Sequence, residues 1–268
     1  MKTFFTVTAT ALMIVPNFSI AKEISAKELT DLPSAQVVFL GEVHDNPHHH
    51  DNQAVALAAL RPAAVVFEML TPDAAQKVTP ELMNDESGLR EALDWDNSGW
   101  PDFAMYFPVF SASAGAAIFG AQVPRSSARD AVMGGDVASA FGDRAGEFGL
   151  LDALPSEQQT EREAKQMAAH CDALPAEMLP GMVLAQRLRD ATLARAAVEA
   201  LEATGGPVAV VTGNGHARTD WGASALIGKN VSVLSIGQFE AAPDASVPYD
   251  FWLVTEAAER EDPCAAFR

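Results

Sequence analysis

Two short segments of the chain share one layout, in which an apolar run is followed by Gly, two further residues and a His. The first is GEVH at residues 41–44, and the second is GNGH at residues 213–216. A third apolar run ends in a carboxylate, Glu68. Imidazoles and carboxylates gathered in one place can hold a metal such as Zn or Fe, or act as general acid and base. The candidate metal ligands are Glu42, His44, Glu68 and His216, and the last three are the candidate catalytic residues of a hydrolase.

Six short apolar runs must position these groups, and they are rich in Val, Ile, Leu and Phe without alternation. That pattern is typical of parallel strands covered on both faces. The predicted strands are Gln36–Leu40, Ala64–Glu68, Ala117–Ala121, Val208–Thr212, Val231–Ile236 and Phe251–Thr255. Ligands of α/β sheets bind beyond the carboxyl ends of the strands. We therefore expect both Gly-x-x-His turns and Glu68 to face one crevice.

Helical segments lie between the predicted strands, which indicates an α/β fold with a mixed, largely parallel sheet flanked by helices. Asn46 and Pro47 are typical of a helix start, and this helix should end near Leu60. Gly205 is a stop signal for a second, longer helix. The other predicted helices are Met182–Ala203, Glu86–Asp94, Pro101–Ala114 and Glu157–Ala169. Residues 71–180 are predicted to form a helical insertion or cap over the ligand edge of the sheet.

The predicted helices carry further polar candidates. Three histidines open the first helix and fan around it; of these we expect His50, together with Gln53, to edge the pocket. Gln186 and Asp190 are four residues apart on the long helix and share a face, where they can orient the metal ligands or catalytic groups. A polar outer stripe is the alternative for that pair. We assign Arg187, Arg189 and Arg195 to the outer stripe.

The composition excludes several classes of function. The chain has 268 residues, with 36 acidic and 18 basic side chains and a formal net charge of -18. Phosphate-backbone binding depends on clustered Lys and Arg, so a nucleic-acid partner is not expected. Docking on anionic lipid is disfavoured for the same reason. Hydrophobic residues make up 49% of the chain, which suits a globular core.

Residues 1–21 have the pattern of a cleaved secretory signal peptide. Lys2 precedes an apolar run that ends at Val15, and small residues stand at Ser19 and Ala21 before the predicted cleavage point. A short membrane anchor is the alternative, but the run is below the ~20 residues that a span requires. We expect a single mature α/β domain of residues 22–268, free in the periplasm. A lipid anchor is not expected, because no cysteine stands at the cleavage point.

Export changes the interpretation of the two cysteines, Cys171 and Cys264. An even number of cysteines in an oxidising compartment favours a disulfide, which would tie the C-terminal tail to the loop HCDALP. Two unpaired buried thiols are the alternative.

Six sequence motifs of the chain together resemble those of a known family. The stretches LGEVHDNPHHHDNQ, VVFEML, GWPDFAMYFPVF, GAQVPR, LAQRLRDATLARAAV and TGNGHAR occur in an order similar to that of the ChaN-like haem-binding family. That family lies in the haem-uptake/Tiki superfamily, which also contains Tiki-type proteases and erythromycin esterases. The resemblance covers about residues 36–240. The matching positions are Glu42, His44, His50, Gln53, Glu68, Arg125, Asp190 and His216.

The resemblance implies an α/β fold, a pocket built from these motifs and a role in bacterial haem or iron acquisition. Haem or another iron-porphyrin would be the ligand, and periplasmic or outer-membrane haem-uptake components would be partners. A homodimer is left open.

Haem requires an axial ligand, an apolar wall and cations for its propionates. The segment 95–110 holds six aromatic residues, which predicts a pocket wall containing Trp100 and Phe103, with Tyr106 as a candidate axial ligand. Helix core is the alternative for Phe103. Arg125 and Arg129 follow a predicted strand, so they are candidates to bind the propionates or to form ion pairs with the glutamates.

Two functions therefore stand side by side. The first is an exported haem-binding protein without catalytic activity. The second is a hydrolase, in which a bound metal activates water or, without metal, His44 acts as general base. The chain has no Gly-x-Ser-x-Gly elbow, so a covalent serine nucleophile is not expected.

Overall fold

The structure is a computed structural model that describes residues 21–262 together with Cys264 and Ala265. All but the last residue of the predicted signal peptide lies outside the described residues. In the described part, seven strands form one sheet. They are β1 (Lys22–Glu23), β2 (Val37–Glu42), β3 (Ala64–Phe67), β4 (Ala117–Gly120), β5 (Val208–Gly213), β6 (Val233–Phe239) and β7 (Phe251–Val254).

The strand order across the sheet is β1-β7-β6-β2-β5-β3-β4. Each pairing between neighbouring strands is parallel. The α/β class is confirmed, and the sheet of the described residues is wholly parallel rather than mixed. All six predicted strands are present within a few residues of their expected ends. The two-residue strand β1 was not predicted, because so short a segment carries no periodic signal.

Helices connect most of the parallel strands, whereas β6 and β7 are joined by a loop. The α-helices are α1 (Pro47–Leu60), α2 (Pro72–Ala75), α3 (Glu86–Ala92), α4 (Phe103–Ala112), α5 (Arg125–Met133), α6 (Val137–Phe141), α7 (Ser156–Ala169), α8 (Leu179–Thr204), α9 (Asn214–Ala217) and α10 (Ala223–Leu226). Helix α1 begins as predicted, with the Asn46 side chain accepting a hydrogen bond from the His48 amide. Helix α8 ends at Gly205, which adopts the left-handed conformation. The segment 71–180 contains α2 to α7 and the strand β4.

The strands are covered on both faces, which explains their continuous apolar sequences. On β2, Val38 and Leu40 join one core with residues of α1 and α4. Val37 and Phe39 point to the opposite face and join a second core with residues of α8. Each core excludes water from one side of the sheet, so the strand ends are held firmly at its carboxyl edge.

Two further observations bear on the sequence predictions. Cys171 and Cys264 form a disulfide, the pair predicted above, with a Cα–Cα distance of 5.4 Å. It ties the C-terminal tail to the turn after α7. Among the described residues, no helix is both long and apolar enough to cross a lipid bilayer.

Candidate functional site

Three neighbouring strands bring the candidate residues to one edge of the sheet. β2, β5 and β3 are adjacent, and their carboxyl ends carry Glu42 with His44, then His216, then Glu68. Gly213 allows a close approach here, because a Cβ at this position would lie 2.8 Å from Nε2 of His44. The Gly of the second Gly-x-x-His turn therefore has a steric role.

His44 is oriented by a carboxylate. Its Nδ1 lies 2.6 Å from Oε1 of Glu42, and its Nε2 lies 4.0 Å from Oε1 of Glu68. The His44 side chain is 35% exposed, whereas that of Glu42 is fully buried. Burial acts to lower the pKa of His44, but the charges of Glu68 and Glu42 outweigh it and raise that pKa to about 9.

His216 has the same arrangement on its own carboxylate. Its Nδ1 lies 2.6 Å from Oδ1 of Asp190, and its Nε2 lies 3.5 Å from Oε1 of Glu68. Burial opposes the charged form, but Glu68 and Asp190 outweigh it and raise the pKa of His216. Glu68 thus stands between two imidazoles, and its other oxygen accepts hydrogen bonds from the Thr212 hydroxyl and the Gly213 amide.

A buried set of side chains holds Glu42 in place. Gln53 donates to Oε2 at 2.7 Å, and the Tyr106 hydroxyl donates to Oε1 at 3.0 Å. Nδ1 of His50 lies 3.4 Å from Oε2. Burial acts to raise the pKa of Glu42, but the neighbouring imidazoles, His50 first, outweigh it and lower that pKa to about 2. This glutamate is therefore a fixed negative charge behind His44.

These contacts differ from several expectations of the sequence analysis. Tyr106 is 0% exposed and Phe103 is 1% exposed, so both lie in the core rather than on a pocket wall. The Tyr106 oxygen is engaged with Glu42 and is not presented as an axial ligand. His50 and Gln53 are also buried, and they support Glu42 instead of edging a cavity.

Two cavities adjoin the site. The first, which we call the Trp100 cavity, has a volume of about 550 Å³. The second, the Trp221 cavity, has about 440 Å³. They share His44, Gln186 and His216 and otherwise have different walls. Both volumes fall within the range of about 300–1,000 Å³ that small-molecule sites occupy.

The Trp100 cavity combines an aromatic wall with positive charge. The Trp100 ring stands edge-on to the His44 imidazole, with centroids 4.9 Å apart. Arg125 and Arg189 also line this cavity, and neither forms an ion pair with any residue that the structure describes. Arg129 is exposed and does not line it.

Arg189 is the residue that the sequence analysis missed, because it was assigned to an outer polar stripe. Gln186, Arg189 and Leu193 all line the Trp100 cavity. Their spacing of three and four residues puts them on one face of α8. That spacing was the available signal.

The four candidate metal ligands do not share a centre. Glu42 binds the Nδ1 side of His44, whereas Glu68 lies on the Nε2 side. Among the described residues, no group of three or more His, Cys, Asp or Glu side chains has a geometry that could hold a metal ion. The expected Zn or Fe site on Glu42, His44, Glu68 and His216 is thus not supported. The groups form hydrogen bonds and ion pairs with one another instead.

Comparisons with known proteins agree with the fold. A family model described as haem-binding uptake, Tiki superfamily, ChaN matches residues 29–227. A solved structure described as cofacial haem binding to ChaN of Campylobacter jejuni superposes with a TM-score of 0.59 at 18% identity, over 83% of this chain and 89% of that one. No curated protein sequence matches the chain.

More distant structural neighbours have TM-scores below 0.5. The type III effector HopBA1 aligns at 0.49 with 15% identity, over 91% of this chain and 100% of that one. An erythromycin esterase mutant in its open conformation aligns at 0.43 with 12% identity, over 80% of this chain and 75% of that one.

Proposed function

Since the chain belongs to the haem-binding uptake family of the Tiki superfamily, the ChaN type, we propose that it binds haem in the Trp100 cavity. The observation that carries this proposal is the imidazole of His44. Its Nδ1 is held by Glu42, and its side chain is partly exposed on the cavity wall. Imidazole nitrogen is a common axial ligand of haem iron, and a carboxylate behind the imidazole orients the ring and increases its basicity.

The other walls of the cavity fit the same ligand. Trp100 and Val123 supply apolar surface for a porphyrin. Arg125 and Arg189 supply positive charge for the two propionates of haem. Because the net charge of the chain is -18, this positive charge must be provided locally. The Campylobacter jejuni protein of similar fold, which binds haem cofacially, supports this class of ligand.

Binding through His44 has a consequence for pH. Iron binds the neutral imidazole, whereas the pKa of about 9 keeps His44 protonated near neutral pH. Haem binding should therefore release a proton, and affinity should increase as the pH rises toward 9.

A hemin titration followed through the Soret band tests the proposal. His44→Ala should weaken binding at least tenfold, which is about 1.4 kcal/mol. His48→Ala is the matched control, because His48 belongs to the same segment but is exposed and lines neither cavity. The proposal fails if hemin causes no spectral change, or if both variants bind as the wild type does.

We further propose that the protein is exported to the periplasm and acts there in haem or iron acquisition. The signal-peptide pattern of residues 1–21 and the Cys171–Cys264 disulfide support export. Mass spectrometry of the protein from the periplasmic fraction should find an N-terminus at Lys22. A chain that retains Met1 and stays in the cytoplasm would contradict this.

A second candidate function is a metal-free hydrolase, and one observation favours it. His44 and His216 each have Nδ1 bound to a carboxylate and Nε2 near Glu68, and both residues line the two cavities. His44, oriented by Glu42, would then act as general base in its neutral form, so the activity should increase as the pH rises toward 9. Ester hydrolysis by the purified protein that is lost in both His44→Ala and His216→Ala would support it; activity that survives both changes would exclude it.

A further inference from the structure

One wall of the Trp221 cavity is built by elements that the haem proposal does not use. Helix α7 contributes Arg162, Lys165 and Gln166, and the segment between α9 and α10 contributes Trp221. Helix α8 closes it with Gln186 and other residues. With about 440 Å³, the cavity is large enough for a small organic molecule.

Two buried polar atoms on the wall of this cavity have no hydrogen-bond partner among the described residues. They are Nε of Arg162, a donor, and Oε1 of Gln166, an acceptor. The Arg162 side chain is only 11% exposed. Buried polar groups in folded proteins are almost always bonded, so such a pair indicates a place where a ligand supplies both an acceptor and a donor.

Two cations lie on this wall of the cavity, and two carboxylates also line it. Lys165 is paired with Glu161 at 3.8 Å. The Arg162 guanidinium lies 5.2 Å from the centre of the Trp221 ring, and the Lys165 ammonium lies 5.8 Å from it. Contacts of this kind hold cations over the indole face. The nearest carboxylate to Arg162 is that of Asp190 at 4.0 Å, which binds His216 more closely, at 2.6 Å. The Arg162 charge is therefore only partly compensated.

We propose that the Trp221 cavity is a second ligand site, which binds a small hydroxycarboxylate. Its carboxylate is held by Arg162 and Lys165, and its hydroxyl donates to Gln166. A carboxylate matches the planar donor fork of an arginine, and a hydroxyl is the donor that an amide oxygen accepts. This site shares three wall residues with the Trp100 cavity, but its proposed contacts are made by α7 and do not require haem.

Isothermal titration of haem-free protein with citrate tests the proposal, and tricarballylate is the matched probe because it lacks only the hydroxyl. Citrate should bind at least tenfold more tightly than tricarballylate. Gln166→Ala should abolish this preference, and Arg162→Gln should weaken citrate at least tenfold. Arg144→Gln is the control for the charge change, because Arg144 pairs with Glu147 outside the cavity. This variant should bind citrate as the wild type does.

The outcomes separate clearly. The proposal is overturned if millimolar citrate does not bind, if the two probes bind equally to the wild type, or if Arg162→Gln binds as the wild type does. Tighter binding of glycerol 3-phosphate than of citrate would also overturn it, in favour of a phosphate ligand. Because Arg162→Gln can affect folding, the thermal midpoint is measured with and without citrate. Citrate should raise the midpoint of the wild type and of Arg144→Gln but not that of Arg162→Gln.

Discussion

Replacing Glu42 by Gln should lower the pKa of His44 by about two units. Oε1 of Glu42 lies 2.6 Å from Nδ1 of His44. Opposite unit charges at this distance attract by about 6 kcal/mol at an effective dielectric constant of about 20. Since the His44 side chain is 35% exposed, solvent screening reduces this to about 2–3 kcal/mol. At about 1.4 kcal/mol per pKa unit, the expected shift is about two units.

The sign follows from the folded and unfolded states. The pKa of His44 is raised in the fold from 6.5 to about 9. The charged imidazole therefore stabilises the fold fully below the unfolded pKa, and this contribution is lost as the pH rises through the folded pKa. In Glu42→Gln the stabilising contribution should be smaller, and its loss should be complete about two pH units lower. NMR titration of ring-labelled histidine measures the His44 titration midpoint in the wild type and in Glu42→Gln. The spectrum of His44→Ala assigns the resonance.

Asp45→Asn provides the control for the removal of a nearby charge. Asp45 also raises the pKa of His44, but Arg260 already binds its carboxylate at 2.7 Å. Its removal should shift the midpoint by only about a few tenths of a unit. The reasoning is refuted if Glu42→Gln leaves the His44 midpoint within about half a unit of wild type, or if Asp45→Asn shifts it equally.

Three other predictions follow from the described contacts. Tyr106→Phe should leave the Soret spectrum of the hemin complex unchanged and cost about 1–2 kcal/mol in urea unfolding, since one buried hydrogen bond is lost; a lost Soret band would make Tyr106 an iron ligand after all. Cys264→Ser should lower the free energy of unfolding by about 4–5 kcal/mol, because the disulfide closes a separation of 93 residues, and an unchanged midpoint would contradict this. Gly120→Ala should destabilise by about 2 kcal/mol or more, because a Cβ there would collide with the Thr71 backbone. Gly228→Ala is the control and should not destabilise the protein, because a Cβ there would meet no described atom within 4 Å. Equal stability of the two variants would show that the collision at Gly120 is relieved.

Much of the fold could be predicted from local sequence. The six apolar runs are strands because a strand buried on both faces must be apolar at every position. The ends of α1 and α8 follow from Asn46, Pro47 and Gly205, whose backbone preferences act within a single turn. Helices α2, α5, α6, α9 and α10 were not predicted, because short helices carry little periodic signal.

The main residues of the site could also be placed from sequence, for a topological reason. Glu42, His44, Glu68 and His216 all lie at or just after strand ends, and parallel strands deliver their carboxyl ends to one edge. Asp190 is four residues from Gln186 on a helix that packs against the sheet, and its contact with His216 makes it an orienting residue.

Sequence by itself therefore determined the elements, the edge that carries the polar groups and the disulfide pair. Only the tertiary structure decided which face of each helix meets the core, solvent or a cavity, because periodicity gives the residues that share a face but not what that face packs against. For that reason Tyr106 turned out to be a buried partner of Glu42, and Arg189 lies on a cavity wall. Long-range packing likewise brought Arg162 to Trp221, across 59 residues of chain.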